Sequence, residues 1–468
     1  MDCLAFAERV AYNLPYEPNG QQIELIAALA RFCSRNAPDD SVFLLNGYAG
    51  TGKTSLTGAL VKTLAEVGVP SVLLAPTGRA AKVFAAYARH PAYTIHRMIY
   101  RPAGHGMGFS MAAVAPNRYR GAVFVVDEAS MVGMSTDMGN NLLEDLIHYV
   151  YTGDNCRLIL LGDSAQLPPV GYEQSPALSV KVLRSFGLRV SRAVLTQTVR
   201  QASGSGILYN ATWLRRAMRA EPLPEPRMRV TPFDDVMEVT GEELPDAIGA
   251  CYTEDGEGET VLITRSNRRA VGFNMAIRSQ ILGREELLSR GERLLVAKNN
   301  YYWSREVKGL DFIANGDVAT VTRIYGTEEK WGMTFADVTL HLPDHDIEID
   351  AKIFLSSLTS EYPGLPAESL TEFYEQAVGD PDLFASDTPM STRERELKKN
   401  PYINALLVKY AYAVTCHKAQ GGQWKNVFVD LGYIPPESIG LDFYRWLYTA
   451  VTRARESLYL VNPAIETR

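Results

Sequence analysis

The chain has 468 residues, 46% of them hydrophobic and 22% charged, which predicts roughly two to four domains and leaves no apolar run of about eighteen residues for a membrane span. Five cysteines (Cys3, Cys33, Cys156, Cys251, Cys416) without CxxC spacing argue against a structural zinc or a disulfide framework, and MDCLAFAERVAYNLPYE lacks the plan of a secretory signal, so a cytoplasmic protein is expected. The net charge of −7 averages two opposed regions: residues 261 to 310 hold ten Arg/Lys against four Glu, and residues 341 to 390 hold eleven Asp/Glu against one Lys, so a groove for a polyanion depends on local sign.

Residues 6 to 32 carry an amphipathic helical pattern that passes through the turn Glu17-Pro18-Asn19-Gly20. Gln21 follows that turn, and its amide can offer a donor and an acceptor to an adenine edge or simply cap the helix in solvent. Next, VFLLNGYAGTGKTSLTGAL reads as a buried strand, a phosphate-binding loop and a helix. The loop is Gly47, Tyr48, Ala49, Gly50, Thr51, Gly52, Lys53 and Thr54. Its glycines let backbone amides converge on phosphates, Lys53 can reach the β- and γ-phosphates, and the Thr54 hydroxyl can ligate Mg²⁺, so ATP and Mg²⁺ are the expected cofactors.

Ser71 to Phe84 repeats strand, turn and helix; Thr94 to Tyr100 follows, and then a Gly/Pro-rich excursion predicts a hairpin insertion. AVFVVDEASMV is a buried strand ending in adjacent carboxylates, which places Asp127 to hold Mg²⁺ and Glu128 to deprotonate the attacking water. RLILLGDSAQLPPVG ends in a stiff Pro-Pro turn where Gln166 either contacts a γ-phosphate or merely closes the strand. LTQTVRQ sets Arg200 in an otherwise neutral strand.

The order and wording of GYAGTGKT, LLAPTGRAAK, TIHRMIY, VVDEASM, GDSAQLPPV, TVRQ, VLITRSNRRAVGFN, VTCHKAQGGQWKNVFVDL and WLYTAVTRARESLYLV resemble the RecD/Dda-like helicases of superfamily 1B. The resemblance implies an α/β fold of two RecA-like P-loop domains, parallel sheets flanked by helices, with a β-hairpin insertion and a small β-barrel insertion. Domain 1 is expected over 1–195 with a pin-like insertion at 101–118, domain 2 over 196–290 and 400–468, and an inserted barrel and acidic arm over 291–399. Residues 294 to 353 alternate apolar and polar as a barrel requires, whereas 355 to 400 is acidic and reads either as an arm packed on the barrel or as partly disordered.

By the same resemblance Gln21 reads adenine, and Arg200 and Arg453 reach the γ-phosphate from domain 2, with Arg455 the alternative or an ion-pair partner. Three loops are implied to grip DNA phosphates: Pro76 to Lys82 with Thr77, Thr94 to His96, and Thr415 to Lys418 with His417. Either histidine can instead position its loop. Phe109 in the pin would wedge the fork, or staple the hairpin to domain 1. The implied partners are single-stranded DNA, DNA forks and replication or recombination proteins; the implied motor is a monomer moving 5′-to-3′. An RNA remodeller and an ATP-switched DNA-binding subunit of a recombination complex share many of these motifs.

Overall fold

The computed structural model describes residues 2–34, 38–101, 113–134, 141–197, 204–310 and 312–467. Phe109, expected in the pin-like insertion, and Arg200 lie outside the described residues. No helix among the described residues is long and apolar enough to cross a membrane.

The first half is a six-stranded parallel sheet, in the order Ala92–Thr94, Ser71–Ala75, Val123–Val126, Arg157–Gly162, Ser41–Gly47, Arg189–Leu195. Its three central strands are buried along their whole length, as parallel strands covered on both faces must be. Period-2 alternation divides each strand between two cores. Val42, Leu44, Phe124 and Val126 face the helix Leu142–Tyr151, while Phe43, Leu45, Val125 and Leu161 face the helices Gly20–Phe32 and Lys53–Glu66. The continuous pattern over 6 to 32 folds as two helices, Cys3–Asn13 and Gly20–Phe32, because Pro15 and Pro18 interrupt the backbone ladder between them. Tyr100–Arg101 pairs antiparallel with Ala113–Val114, the two short strands that flank the expected insertion.

The second half is a five-stranded parallel sheet in the order Val236–Val239, Ala454–Val461, Trp424–Asp430, Thr260–Thr264, Ala413–Thr415. A closed barrel is inserted into it, built from Arg293–Val296, Val318–Lys330, Met333–Leu342, Ile347–Phe354 and Leu406–Tyr410. The last strand corrects the expected boundary at residue 400. LLVKYAYAVT reads as one β run, but Leu406, Val408 and Tyr410 are buried in the barrel core, and the chain turns at Ala411 and Tyr412 before Ala413 joins the parallel sheet. The acidic segment forms the helices Ala367–Gly379 and Met390–Leu397. Phe373 sets its ring 5.6 Å from Phe354 and 5.9 Å from Phe335, so apolar contact with the barrel anchors a segment whose charges stay solvated.

One apolar cluster crosses between the halves, joining Tyr48, Ala165 and Leu167 to Trp424, Leu447 and Val451. Fully burying such side chains stabilises by about 1.5–3 kcal/mol each, so the two sheets form a closed cleft. Strand ends at Gly47, Val126 and Gly162 open into it, where ligands bind parallel α/β sheets.

Candidate active site

The strand Ser41–Gly47 turns into the helix Lys53–Glu66 through Gly50 and Gly52, with φ of 74° and 78°, values that favour glycine. A Cβ on Gly47 would lie 3.1 Å from the Lys53 side chain and 3.3 Å from the Thr51 hydroxyl, so one would press both side chains out of place. Lys53 Nζ donates to the Gly47 carbonyl at 3.3 Å and Thr51 Oγ1 to the Tyr48 carbonyl at 2.7 Å. A cation beside an uncapped helix N-terminus is an anion site, and Thr54 stands exposed beside it.

Gln21 is occupied differently from expectation. Its Oε1 accepts from the Thr196 and Gln197 amides at 3.0 and 3.1 Å, and its Nε2 donates to Thr196 Oγ1 at 3.0 Å. Its neighbour Gln22, fully buried, donates to the Thr51 carbonyl at 3.2 Å and closes a capping box with Asn19. Arg215 lies over the Tyr48 ring at 4.3 Å, and Arg219 donates to the Tyr48 hydroxyl at 2.5 Å.

Asp127 and Glu128 emerge from Val123–Val126 beside the phosphate loop. Asp127 accepts from the Tyr87 hydroxyl at 2.5 Å and from the Glu128 amide at 2.9 Å. Burial raises the Asp127 pKa above the ordinary carboxylate range and Lys53 opposes the rise. Glu128 holds a left-handed φ of 51°, a strained backbone for a non-glycine residue, and Ser130 Oγ approaches its carboxylate at 3.5 Å. Asp163, also raised by burial and countered by Lys53, accepts from the Tyr448 hydroxyl at 2.5 Å and the Ala165 amide at 2.9 Å. Gln166 is 7% exposed and its Oε1 has no partner. Buried carboxylates whose charged form is disfavoured fit a divalent cation, and Thr54 with Asp127 supply the few protein oxygens that Mg²⁺ takes beside phosphates. Among the described residues no group of three or more His, Cys, Asp or Glu converges on a metal position.

The helix Leu441–Val451 of the second half lies against this loop. Tyr448 Oη accepts from the Ala49 amide at 3.0 Å, Thr449 Oγ1 accepts from the Leu167 amide at 2.8 Å, and Gln420 Nε2 donates to the Leu167 carbonyl at 2.7 Å. Arg453 does not extend to the phosphate loop in this arrangement. It is 3% exposed, and donates to the Thr449 and Gly422 carbonyls at 3.0 and 3.2 Å and to Thr452 Oγ1 at 3.2 Å. Arg455 instead pairs with Glu259 at the surface.

The loops expected to face DNA are drawn together. Thr77 caps the helix Gly78–Ala88 by accepting from the Ala80 amide at 3.2 Å, and Thr94 caps Ile95–Ile99 by accepting from the Arg97 amide at 3.2 Å. Gly421, with φ of 71°, passes so close that a Cβ would sit 2.9 Å from Ala80 and 3.1 Å from Thr77 Oγ1. Arg79 lies over the Trp424 ring at 3.8 Å. Lys82 does not stand free: it pairs with Asp344 of the barrel at 3.0 Å and donates to the Pro343 carbonyl at 3.2 Å. Pro76 leads into this loop, and His96 sits 5.7 Å from the Tyr100 ring. Thr415 starts the short helix Cys416–Ala419 and His417 is exposed. Lys418 Nζ is buried without a partner, which pushes its pKa down to about 8.

The sequence alone does not single out Gln22, Arg215, Arg219, Tyr448, Thr449 or Gln420. A usable signal for part of this set is the spacing of Arg445, Tyr448, Thr449 and Thr452, which lines one helix face with polar groups inside an otherwise apolar helix.

Fold and site together define a P-loop nucleotide-binding fold whose cleft is closed by a second parallel α/β domain. Residues 19–223 match the family described as AAA domain, and residues 410–461 the UvrD-like helicase C-terminal domain. Over 425 residues the chain is 33% identical to the ATP-dependent RecD2 DNA helicase of Deinococcus radiodurans, covering 90% of this chain and 47% of that protein. The chain is a homologue of that helicase along 90% of its own length, and spans about half the length of the curated relative it matches. Among solved structures it is similar to Pif1 helicase from Bacteroides in complex with ADP-AlF3 and ssDNA (15% identity, 96% of this chain, 92% of that chain, TM-score 0.48). It is also similar to Pif1 helicase from Candida albicans (17% identity, 97% of each chain, TM-score 0.42).

Proposed function

We propose that the chain is an ATP-dependent DNA helicase that translocates on single-stranded DNA and opens forks, in the 5′-to-3′ direction that its family resemblance implies. The observation that carries this reading is the Tyr448 link: one hydroxyl from the second domain touches both the phosphate loop at Ala49 and the Asp163 carboxylate. A change at the nucleotide is thereby coupled to the domain that carries Thr415 to Lys418, and Gly421 of that domain abuts the Pro76 to Lys82 loop. Such coupling is what converts hydrolysis into stepping along a strand.

In this reading Gly47 to Thr54 hold the triphosphate, and Lys53 compensates the β- and γ-phosphate charge. Glu128 accepts the proton of the attacking water, fixed in aim by its strained backbone. Thr54 and Asp127 would hold Mg²⁺, which when bound neutralises charge on the phosphates. Arg453 and Arg200 add positive charge from the second domain as the cleft tightens. Pro76, Thr77, Lys82, Thr94, His96, Thr415, His417 and Lys418 contact the DNA backbone, and Phe109 in the inserted hairpin stacks on the base at the fork. The protein works as a cytoplasmic monomer with replication or recombination partners.

The test is ATP turnover with and without single-stranded DNA, together with strand separation on forks bearing only a 5′ or only a 3′ tail. Stimulated turnover with unwinding of the 5′-tailed fork is expected. Unwinding of the 3′-tailed fork alone reverses the direction, and absence of both stimulation and unwinding sinks the reading.

A further inference from the structure

Beside the carboxylate cluster lies a second polar cavity, of about 360 Å³, with Asn46, Ser130, Asp163, Gln166, Arg192 and Arg445 among its lining residues. Asn46 is the residue before Gly47, and Ser130 Oγ lies 3.5 Å from the Glu128 carboxylate, so one side of the cavity borders the place where a γ-phosphate would be cleaved. Its other walls come from the edge strand Arg189–Leu195, where Arg192 is exposed, and from Arg445 of the helix Leu441–Val451.

Two features of its chemistry stand out. Asn46 is 2% exposed and Gln166 7%, yet Asn46 Oδ1 and Gln166 Oε1 have no hydrogen-bond partner. Leaving buried polar atoms unsatisfied is costly, so a cavity lined by two of them is built for something that fills their hydrogen bonds. The lining charges are Arg192, Arg445 and Asp163; Arg445 already donates to the Glu173 carbonyl at 2.5 Å and lies 3.7 Å from Asp442, and the Asp163 oxygens accept from Tyr448 and Ala165. The exposed guanidinium of Arg192, amides that can turn either their N–H₂ or their oxygen inward, and serine hydroxyls suit a small oxyanion that both donates and accepts hydrogen bonds. Protonated inorganic phosphate has that character.

We propose that this cavity receives inorganic phosphate after cleavage of the γ-phosphate and conducts it to solvent past Arg192, by a route separate from the nucleotide cleft. The inference rests on the ATPase reading above. With Tyr448 accepting from the Ala49 amide, the Leu441–Val451 helix is tied to the phosphate loop, so an exit through the cavity does not require that contact to part. A passage past Gln166 lets phosphate leave before the domains part, and the departing anion then signals through the same Gln166 and Asp163 that contact or neighbour the second domain.

Two variants outside the catalytic machinery test it. Val180→Trp fills the cavity from its wall, and Arg192→Gln removes the exposed guanidinium without touching the core. On the full chain with single-stranded DNA, ATP cleavage is followed by rapid chemical quench and phosphate release by a fluorescent phosphate sensor. In both variants we expect first-turnover cleavage within about twofold of the parent, and release slowed about fivefold or more, so that a burst of cleaved but retained phosphate builds up; Arg192→Lys should restore release. Release that keeps pace with cleavage in Arg192→Gln overturns the route, whether or not Val180→Trp folds. Absence of ATP cleavage in the parent removes the ATPase reading itself, and the inference with it.

Discussion

The Tyr448 hydroxyl, carried by the second domain, lies between the Ala49 amide at 3.0 Å and the Asp163 carboxylate at 2.5 Å, and so spans the seam of the nucleotide site. Hydrogen bonds to charged groups contribute about 1.5–3 kcal/mol, enough to bias the cleft between closed and open states. Tyr448→Phe keeps the ring in its apolar surroundings and removes only that link. The expected result is loss of most DNA stimulation of ATP turnover, with ATP affinity changed less than about threefold. Equal stimulation in the variant and the parent would show that the domains communicate elsewhere.

Much of this site was legible because the chemistry fixes spacing. Gly47 to Thr54 can be recognised in sequence since left-handed turns at Gly50 and Gly52 favour glycine at set positions, and Asp127-Glu128 since a fully buried strand ends in adjacent carboxylates. Tertiary choices were hidden. LLVKYAYAVT carries one alternation, and nothing local says that Tyr410 belongs to the barrel and Ala413 to the parallel sheet. Gln21 and Gln22 are adjacent and chemically identical; only the capping box with Asn19 turns Gln22 inward to the phosphate loop. Tyr448 reads as one more core aromatic until Ala49 and Asp163 are seen on either side of its hydroxyl.

Lys53→Ala and Glu128→Gln should each reduce ATP turnover to background while single-strand binding survives. Lys53 is the cation shared by Asp127 and Asp163, and Glu128 is the carboxylate whose left-handed backbone aims it beside them. Glu128→Gln is nearly isosteric, so a fold defect is not expected. Fluorescence anisotropy with a labelled oligonucleotide and a phosphate-release assay on one preparation check both halves; unchanged turnover in Glu128→Gln would remove it as the base.

Lys418 makes two pH effects run in opposite directions. Burial pushes its pKa from 10.5 down to about 8, and Lys409, near enough for mutual repulsion, is likewise pushed to about 8 by burial and then by Lys418. Below about 8 Lys418 carries its charge beneath the loop proposed to grip DNA; above it the charge is lost, so the Kd for single-stranded DNA should rise severalfold from pH 7 to 9. Folding has the other sign. Between about 8 and 10.5 the unfolded chain holds the proton that the native chain has released, so the stability contribution of this lysine increases with pH across that window. Lys418→Met should flatten the binding profile, and a pH dependence that survives in this variant assigns it to another group.

The ion pair between Lys82 and Asp344 at 3.0 Å sets an acidic barrel turn on a loop proposed to grip DNA. Lys82 is exposed and Asp344 only partly buried, and surface pairs stabilise by only about 0–1 kcal/mol, so phosphate can displace Asp344 at modest cost. Asp344→Asn should tighten single-strand binding by up to about fivefold at low salt, with the gain fading as ionic strength rises and ATP affinity unchanged. Weaker binding in the variant would mean that Asp344 orients Lys82 for DNA and does not compete with it.

Arg453 and Arg455 are two residues apart and placed in opposite circumstances. Arg455 is a surface partner of Glu259, and an exposed pair contributes little, so Arg455→Ala should leave turnover within about twofold of the parent. Arg453 is buried and donates to the Thr449 and Gly422 carbonyls and the Thr452 hydroxyl, ligands that it would partly exchange for a γ-phosphate oxygen under the proposed function. An arginine that acts on transition-state charge contributes about 10³–10⁵ in kcat, so Arg453→Ala should lower turnover by orders of magnitude while ATP affinity stays within about threefold. Arg453→Lys keeps a charge but loses the planar fork that reaches several acceptors at once, and should fall between the two. A purely structural arginine behaves otherwise: Arg453→Ala would lower Tm, and kcat and ATP affinity would decline together. Measuring Tm, ATP affinity and kcat on the three variants separates these outcomes, and a loss of kcat in Arg455→Ala with none in Arg453→Ala reverses the assignment.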